Sequence, residues 1–248
     1  PAFDRVVIET TGLADPAPVM QTLITDSLLL EQYRLDCMVT LVDAVNAPGQ
    51  LVQFTEPVKQ VALADRLVVT KSDLVTGKQL QALTGRLQEI NPRAPIKFAL
   101  NGEIDLAFLV DVGLRRTRAR LEEIERWLGA DETDEHGHAH RHDETVQTFV
   151  LRFEKPMAWE SFTQCLDVLT ALRGPDLLRV KGLVNVEGKK GPMVIQGVQH
   201  LFHPPLELAA WPGADRTTRL VFITRGIPRQ VVADLFSAIG AVTASRAA

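Results

Sequence analysis

Four short, mostly apolar runs, each stopped by polar residues, constrain this chain more than any other feature. Val6-Val7-Ile8 runs into Glu9, Cys37–Val42 into Asp43, Arg66–Val69 into Thr70-Lys71-Ser72-Asp73, and Ile96–Leu100 into Asn101-Gly102. None of the four alternates cleanly between apolar and polar. An unbroken run suits a strand of a parallel sheet buried on both faces. Helical patterns lie between the runs. Asp15 is a good N-cap and Pro16 a good first helical residue, and Val19, Met20, Leu23 and Ile24 then mark one face. Gly49–Ala64 is helical in pattern, with Pro57 starting a fresh helix or a kink. Thr76 to Gln79 fits a capping box ahead of Leu80, Leu83, Leu87 and Ile90, and a later helix carries Leu121, Ile124 and Leu128. Strands alternating with helices predict a parallel, doubly wound α/β sheet. Its polar strand ends should converge along one edge, where ligands bind in such sheets.

The pattern then changes. Residues 131–145 carry six carboxylates and four alternating histidines but no apolar periodicity, and so cannot form a core. They read as a linker. Beyond it, Phe149, Leu151 and Phe153 alternate with polar partners, as in a half-exposed strand. Trp159, Phe162, Leu166 and Leu169 mark an amphipathic helix. Leu178–Val186, Met193–His200 and Arg219–Ile223 read as strands, with a turn at Glu187–Gly191, and Val231–Ile239 as a closing helix. The expected organisation is an α/β domain over 1–130, a His-rich acidic linker over 131–145, and a small α+β domain over 146–248. The second domain should hold an antiparallel sheet with helices on one face.

Composition narrows the function. A net charge of -4 argues against a nucleic-acid binder that works by bulk electrostatics. No apolar run reaches the roughly 20 residues that span a bilayer. No signal peptide is visible, and Cys37 and Cys165 both sit in apolar stretches. Reduced core thiols in a cytoplasmic protein are the expectation. The chain opens on Pro1 and enters its first run within a few residues, so it reads as the remainder of a longer protein.

Two motifs carry chemistry. In Val6–Pro16, Glu9 stands where nucleotide hydrolases hold the magnesium shell, and Gly12 would let a backbone N–H approach a terminal phosphate. In Ala64–Leu74, the apolar run ends in Thr70-Lys71-Ser72-Asp73, the [N/T]-K-x-D pattern of a guanine-reading loop. Asp73 would accept from the guanine N1–H and exocyclic amine, while the Lys71 stem packs on the base with its ammonium in solvent. Thr70 replaces the usual Asn, losing an amide and keeping a hydroxyl. In the linker, His136, His138, His140 and His142 offer imidazoles suited to zinc, copper, nickel or cobalt. The bland alternative is a solvated tether. His200 and His203 lie where a strand ends, and suit packing or hydrogen bonding.

Read together, E-T-T-G-L-A-D-P, A-D-R-L-V-V-T-K-S-D-L, I-N-P-R-A-P, the His-rich linker and Q-G-V-Q-H-L-F-H-P-P with a later W-P resemble the CobW-like family of metal-trafficking GTPases. The resemblance covers nearly the whole chain. It implies a P-loop GTPase domain joined to a CobW-type C-terminal domain, with GTP and Mg2+ bound and zinc or cobalt delivered to a client metalloprotein. It implies that Glu9 is the catalytic acid of the magnesium shell, that Gly12 senses the γ-phosphate and that Thr10 and Thr11 also bind the nucleotide. It implies that Thr70, Lys71 and Asp73 hold guanine. The family's opening G-x-x-x-x-G-K-[ST] phosphate loop and C-x-C-C metal motif do not stand in these 248 residues. Without the phosphate loop there is no backbone cradle, no Lys on the β/γ-phosphates and no hydroxyl for magnesium. The expectation is family-type function for a longer parent and little catalysis by this chain alone. The alternatives are a non-catalytic module that binds metal and client, or an unrelated α/β nucleotide protein.

Overall fold

A computed structural model describes residues 3–110, 121–128 and 146–246. In chain order, the first part consists of α1 (Pro16–Thr25), α2 (Ser27–Gln32), β1 (Val39–Asp43), α3 (Ala47–Gln53), α4 (Thr55–Leu63), β2 (Arg66–Thr70), α5 (Gly77–Ile90), β3 (Ile96–Ala99), α6 (Leu106–Leu109) and α7 (Leu121–Leu128). The three strands form a parallel sheet in the order β1-β2-β3, with Asp43 beside Thr70 and Leu67 beside Ile96. The central strand β2 is buried along its first four residues, as its unbroken apolar run requires. Asp15 caps α1 by accepting from the Ala17 N–H at 3.0 Å, and Pro16 opens the helix. Thr76 and Gln79 make both halves of the capping box at the start of α5. The break between α3 and α4 falls at Phe54, and Pro57 sits in the first turn of α4, where its missing N–H costs nothing.

The predicted strand at Val6-Val7-Ile8 does not form. The segment pairs with no strand among the described residues, and Val7 is 85% exposed. Three β-formers in a row make a strand only where a neighbour takes their N–H and C=O groups.

The second part consists of β4 (Val146–Phe153), α8 (Trp159–Arg173), β5 (Arg179–Val184), β6 (Met193–Val198), β7 (Leu201–Phe202), β8 (Leu206–Glu207), β9 (Thr218–Arg225) and α9 (Arg229–Arg246). Its sheet is antiparallel in the order β4-β9-β5-β6-β7, with β8 also on β6. Phe149, Leu151, Val180 and Phe222 face α8 and α9, where Phe162 and Phe236 close an aromatic core. Helices on one face alone was the expectation, and the structure corrects it. Ile124, Trp127 and Leu128 of α7 pack on Val150, Leu183 and Val221 from the other side. Leu178, Val198 and Ile223 join the core of the first part. Every residue of β5 is consequently buried.

Two polar groups set the start of β2. The buried Asn91 side chain donates to the carbonyls of Val61, Ala62 and Ala64, at 2.9, 3.2 and 3.0 Å. It thus supplies donors to carbonyls at the end of α4, where Val61's also accepts from the Ala64 N–H. Asp65 accepts from the Met38 N–H at 2.9 Å and is bound by both Arg179, at 2.6 Å, and Lys181. These contacts join β2 to β5 across the two parts of the chain.

Candidate nucleotide site

The site grows from the carboxyl end of β2. The Ala44 N–H donates to the Thr70 carbonyl at 3.0 Å, and the Thr70 hydroxyl lies 3.4 Å from the Val42 carbonyl. The ends of β1 and β2 are therefore held side by side. The chain then turns sharply: Lys71 takes a left-handed conformation at φ 56°. A non-glycine residue in that region carries strain of about 1–3 kcal/mol, and such strain gathers at binding loops. One turn of 3-10 helix follows over Ser72–Leu74 and places Asp73 on the surface. Among the described residues the Asp73 carboxylate makes no hydrogen bond, so its oxygens are open to a pair of donors such as those of guanine.

Lys71 is anchored by Asp43, with Nζ 2.7 Å from Oδ2. Asp43 also accepts from the Val45 and Asn46 N–H groups and from Asn46 Nδ2, at 2.8, 3.2 and 2.9 Å. Its slight burial alone would raise the carboxyl, but the bonds from Lys71 and Asn46 outweigh it and hold it down at about 2. At neutral pH it is therefore an anion that fixes the lysine stem beside the loop. Sequence reasoning read Asp43 only as a strand end. Its parallel register with Thr70 was the available clue, because neighbouring strand ends share an edge.

The other predicted residues are placed differently. Glu9, Thr10, Thr11 and Gly12 are exposed and precede α1 in irregular chain. The Gln60 side chain on α4 donates to the carbonyls of Gly12 and Ala14, at 3.1 and 2.8 Å, and Lys59 pairs with Asp15 at 2.7 Å. These contacts dock the segment on α4. No hydrogen bond or ion pair among the described residues joins Glu9–Gly12 to Thr70, Lys71 or Asp73. His136, His138, His140 and His142 lie outside the described residues. Within those residues, no three His, Cys, Asp or Glu side chains gather as a metal site. Burial pushes the Cys37 thiol up to about 12 and the Cys165 thiol up to about 11, so both are protonated and poor ligands. No helix among the described residues is long and apolar enough to cross a membrane.

Comparison with known proteins agrees with this fold. Residues 1–98 match the CobW/HypB/UreG nucleotide-binding domain, and residues 146–239 match the cobalamin synthesis protein cobW C-terminal domain. A parallel α/β nucleotide-binding part followed by a CobW C-terminal part defines the class. The chain is 31% identical over 244 residues to the zinc chaperone YjiA of Escherichia coli, covering 96% of this chain and 71% of that protein. A solved structure of Zn(II)-bound YjiA GTPase superposes with a TM-score of 0.76 at 30% identity, over the same shares of the two chains. The zinc-regulated GTPase metalloprotein activator 1 of Schizosaccharomyces pombe is 35% identical over 104 residues, which are 42% of this chain and 25% of that one. The chain belongs to the CobW-like family of metal-trafficking GTPases.

Proposed function

We propose that this chain binds the guanine of GTP through Thr70, Lys71 and Asp73 and serves in delivering a divalent metal, zinc before cobalt, to a client metalloprotein in the cytoplasm. The observation that supports this best is the T-K-S-D loop at the end of β2, with Lys71 turned and anchored and Asp73 left open. Asp73 would accept from guanine's N1–H and amine, which adenine cannot supply. A buried polar group left unpaired is what gives such sites their selectivity. Glu9 and Gly12 would serve the magnesium and phosphate end once their segment is packed against it. We assign the phosphate cradle to no residue of this chain, so GTP turnover by these 248 residues should be near background. That expectation keeps a second reading in view, a module that binds metal and client without hydrolysis. The test is competition binding with labelled guanine nucleotide. GTP should compete and ATP should not, and Asp73→Asn should shift preference from GTP to xanthosine triphosphate. Unchanged GTP affinity in Asp73→Asn would remove this residue from the site.

The metal reading rests on His136, His138, His140 and His142. Alternate residues of an extended segment line one face but stand roughly 6–7 Å apart, so one ion can take several of these rings only if the segment folds around it. Ordering costs roughly 1–2 kcal/mol per residue fixed, which makes the site weak and exchangeable. Zinc titration of the chain should show weak binding at neutral pH that falls on acidification, as protons compete for imidazole. Changing all four histidines to Ala should remove it. Identical titrations of both proteins would reduce the linker to a tether.

A further inference from the structure

The cluster that joins β2 to β5 does not balance its charge. Asp65 brings one negative charge, and Arg179 and Lys181 bring two positive ones, with the Arg179 and Asp65 side chains each only 4% exposed. Both carboxylate oxygens already have partners. Oδ1 accepts from both Arg179 Nη2 and Lys181, and Oδ2 accepts from the Met38 N–H. Lys181 also donates to the Trp127 carbonyl at 3.4 Å and stands over the Trp127 ring. Arg179 keeps Nε–H and Nη1–H buried with no acceptor. These two atoms account for most of the orphaned buried side-chain polar atoms among the described residues; the third is His203 Nε2.

Arg179 and Lys181 line a small cleft between the two parts of the chain, together with Asp65, Asn91, Trp127 and two further arginines, Arg66 and Arg93, that have partners of their own. Its free interior is about 20 Å³, room for one occupant the size of a water. A water would accept from one N–H of Arg179 but leave the surplus charge in a poorly solvated place. A monovalent anion meets both needs. Lys181 reflects the surplus: burial, then the neighbouring Arg179, pull its ammonium down to about 8 in spite of Asp65.

We infer that this cleft is a binding site for a small monovalent anion of halide size, held by the Nε–H and Nη1–H donors of Arg179 and balancing the second buried cation. The ion completes the polar junction between the two sheets. The site is separate from the guanine loop, which lies at the opposite end of β2.

The test is thermal unfolding of the full chain in sodium chloride against sodium gluconate at matched ionic strength, since gluconate is too large for the cleft. Chloride should raise the midpoint in a saturable way. The rise should vanish in Arg179→Met, which removes the donors and leaves the Asp65–Lys181 pair, and shrink in Lys181→Met, which removes the surplus charge and leaves the Asp65–Arg179 pair. Equal midpoints in the two salts, or a chloride effect that survives both substitutions, would overturn the site. Crystals of the wild-type chain grown in bromide give a readout independent of either variant's folding. An anomalous peak within hydrogen-bond distance of Arg179 supports the site, and a cleft with no such peak, or one against surface residues only, refutes it.

Discussion

At the scale of single residues, two buried groups are turned away from their ordinary titration, one by burial itself and one by its charged partners. His203 Nε2 is buried without a partner, and burial, then the nearby Arg179, lower the imidazole from 6.5 to about 4, with Asp65 opposing them. The folded chain thus keeps His203 neutral where the unfolded chain would take up a proton. The unfolded state binds more protons between those two values, so stability must fall as pH drops from 6.5 towards 4. Urea unfolding across that window should show wild type losing more stability than His203→Leu, and parallel losses would place the pH dependence elsewhere. Asp65 runs the other way. Burial would raise its carboxyl, but Arg179 and Lys181 hold it well below the ordinary carboxylate range. Its contribution is therefore intact above about pH 4 and lost only in stronger acid. Neither role was visible in sequence. Asp65 and its two cations are 114 and 116 residues apart. The faint clue was Arg179 and Lys181 at alternate positions of an apolar strand, which puts both on one face.

Among the elements, the legible ones were those whose signals are local. β1, β2 and β3 follow from mostly apolar runs, although only β2 is buried on both faces, with Leu41 of β1 and Phe98 of β3 exposed, and α5 follows from Thr76 and Gln79 at capping-box spacing. Val6-Val7-Ile8 has the same local signal and pairs with neither edge of the parallel sheet, so an apolar run alone does not decide a strand. The stripe Ile124, Trp127 and Leu128 told that α7 buries one face, but its cover, the far side of the antiparallel sheet, depends on a distant part of the chain. Glycines make the same distinction testable. A Cβ on Gly182, in β5, would stand 2.3 Å from the Arg219 carbonyl oxygen, a backbone atom in the neighbouring strand that has nowhere to go. A Cβ on Gly85, inside α5, would meet nothing within 4 Å. Gly182→Ala should cost about 3 kcal/mol or prevent folding. Gly85→Ala should gain about 0.5–1 kcal/mol by stiffening the unfolded chain and favouring helix. Chemical denaturation of the two variants side by side checks both signs.

Over the whole molecule, the parallel sheet is the unprotected part. Both β1 and β3 are edge strands among the described residues, and Leu41 of β1 and Val7 nearby in sequence to α1 are 67% and 85% exposed. Unpaired edges flanked by apolar side chains promote self-association. Light scattering of this chain should rise with concentration, and Val7→Lys with Leu41→Lys should lower it. A wild-type chain that elutes as one monomeric species at every concentration would contradict this. The antiparallel part is better shielded, with α8 and α9 on one face and α7 and the first core on the other.

The run Ala64–Leu74 holds two separate devices within a single strand and its flanks. Asp65 at one end grips Arg179 and Lys181, and at the other stands the exposed Asp73, which we propose reads the base. Anyone building a chimaera from relatives must respect that spacing. A graft that takes the parallel half from one parent and the antiparallel half from another has to transplant the basic pair along with its acidic partner. Otherwise it strands buried charge at the seam, a defect of about 3–5 kcal/mol that no improvement in the linker could repair.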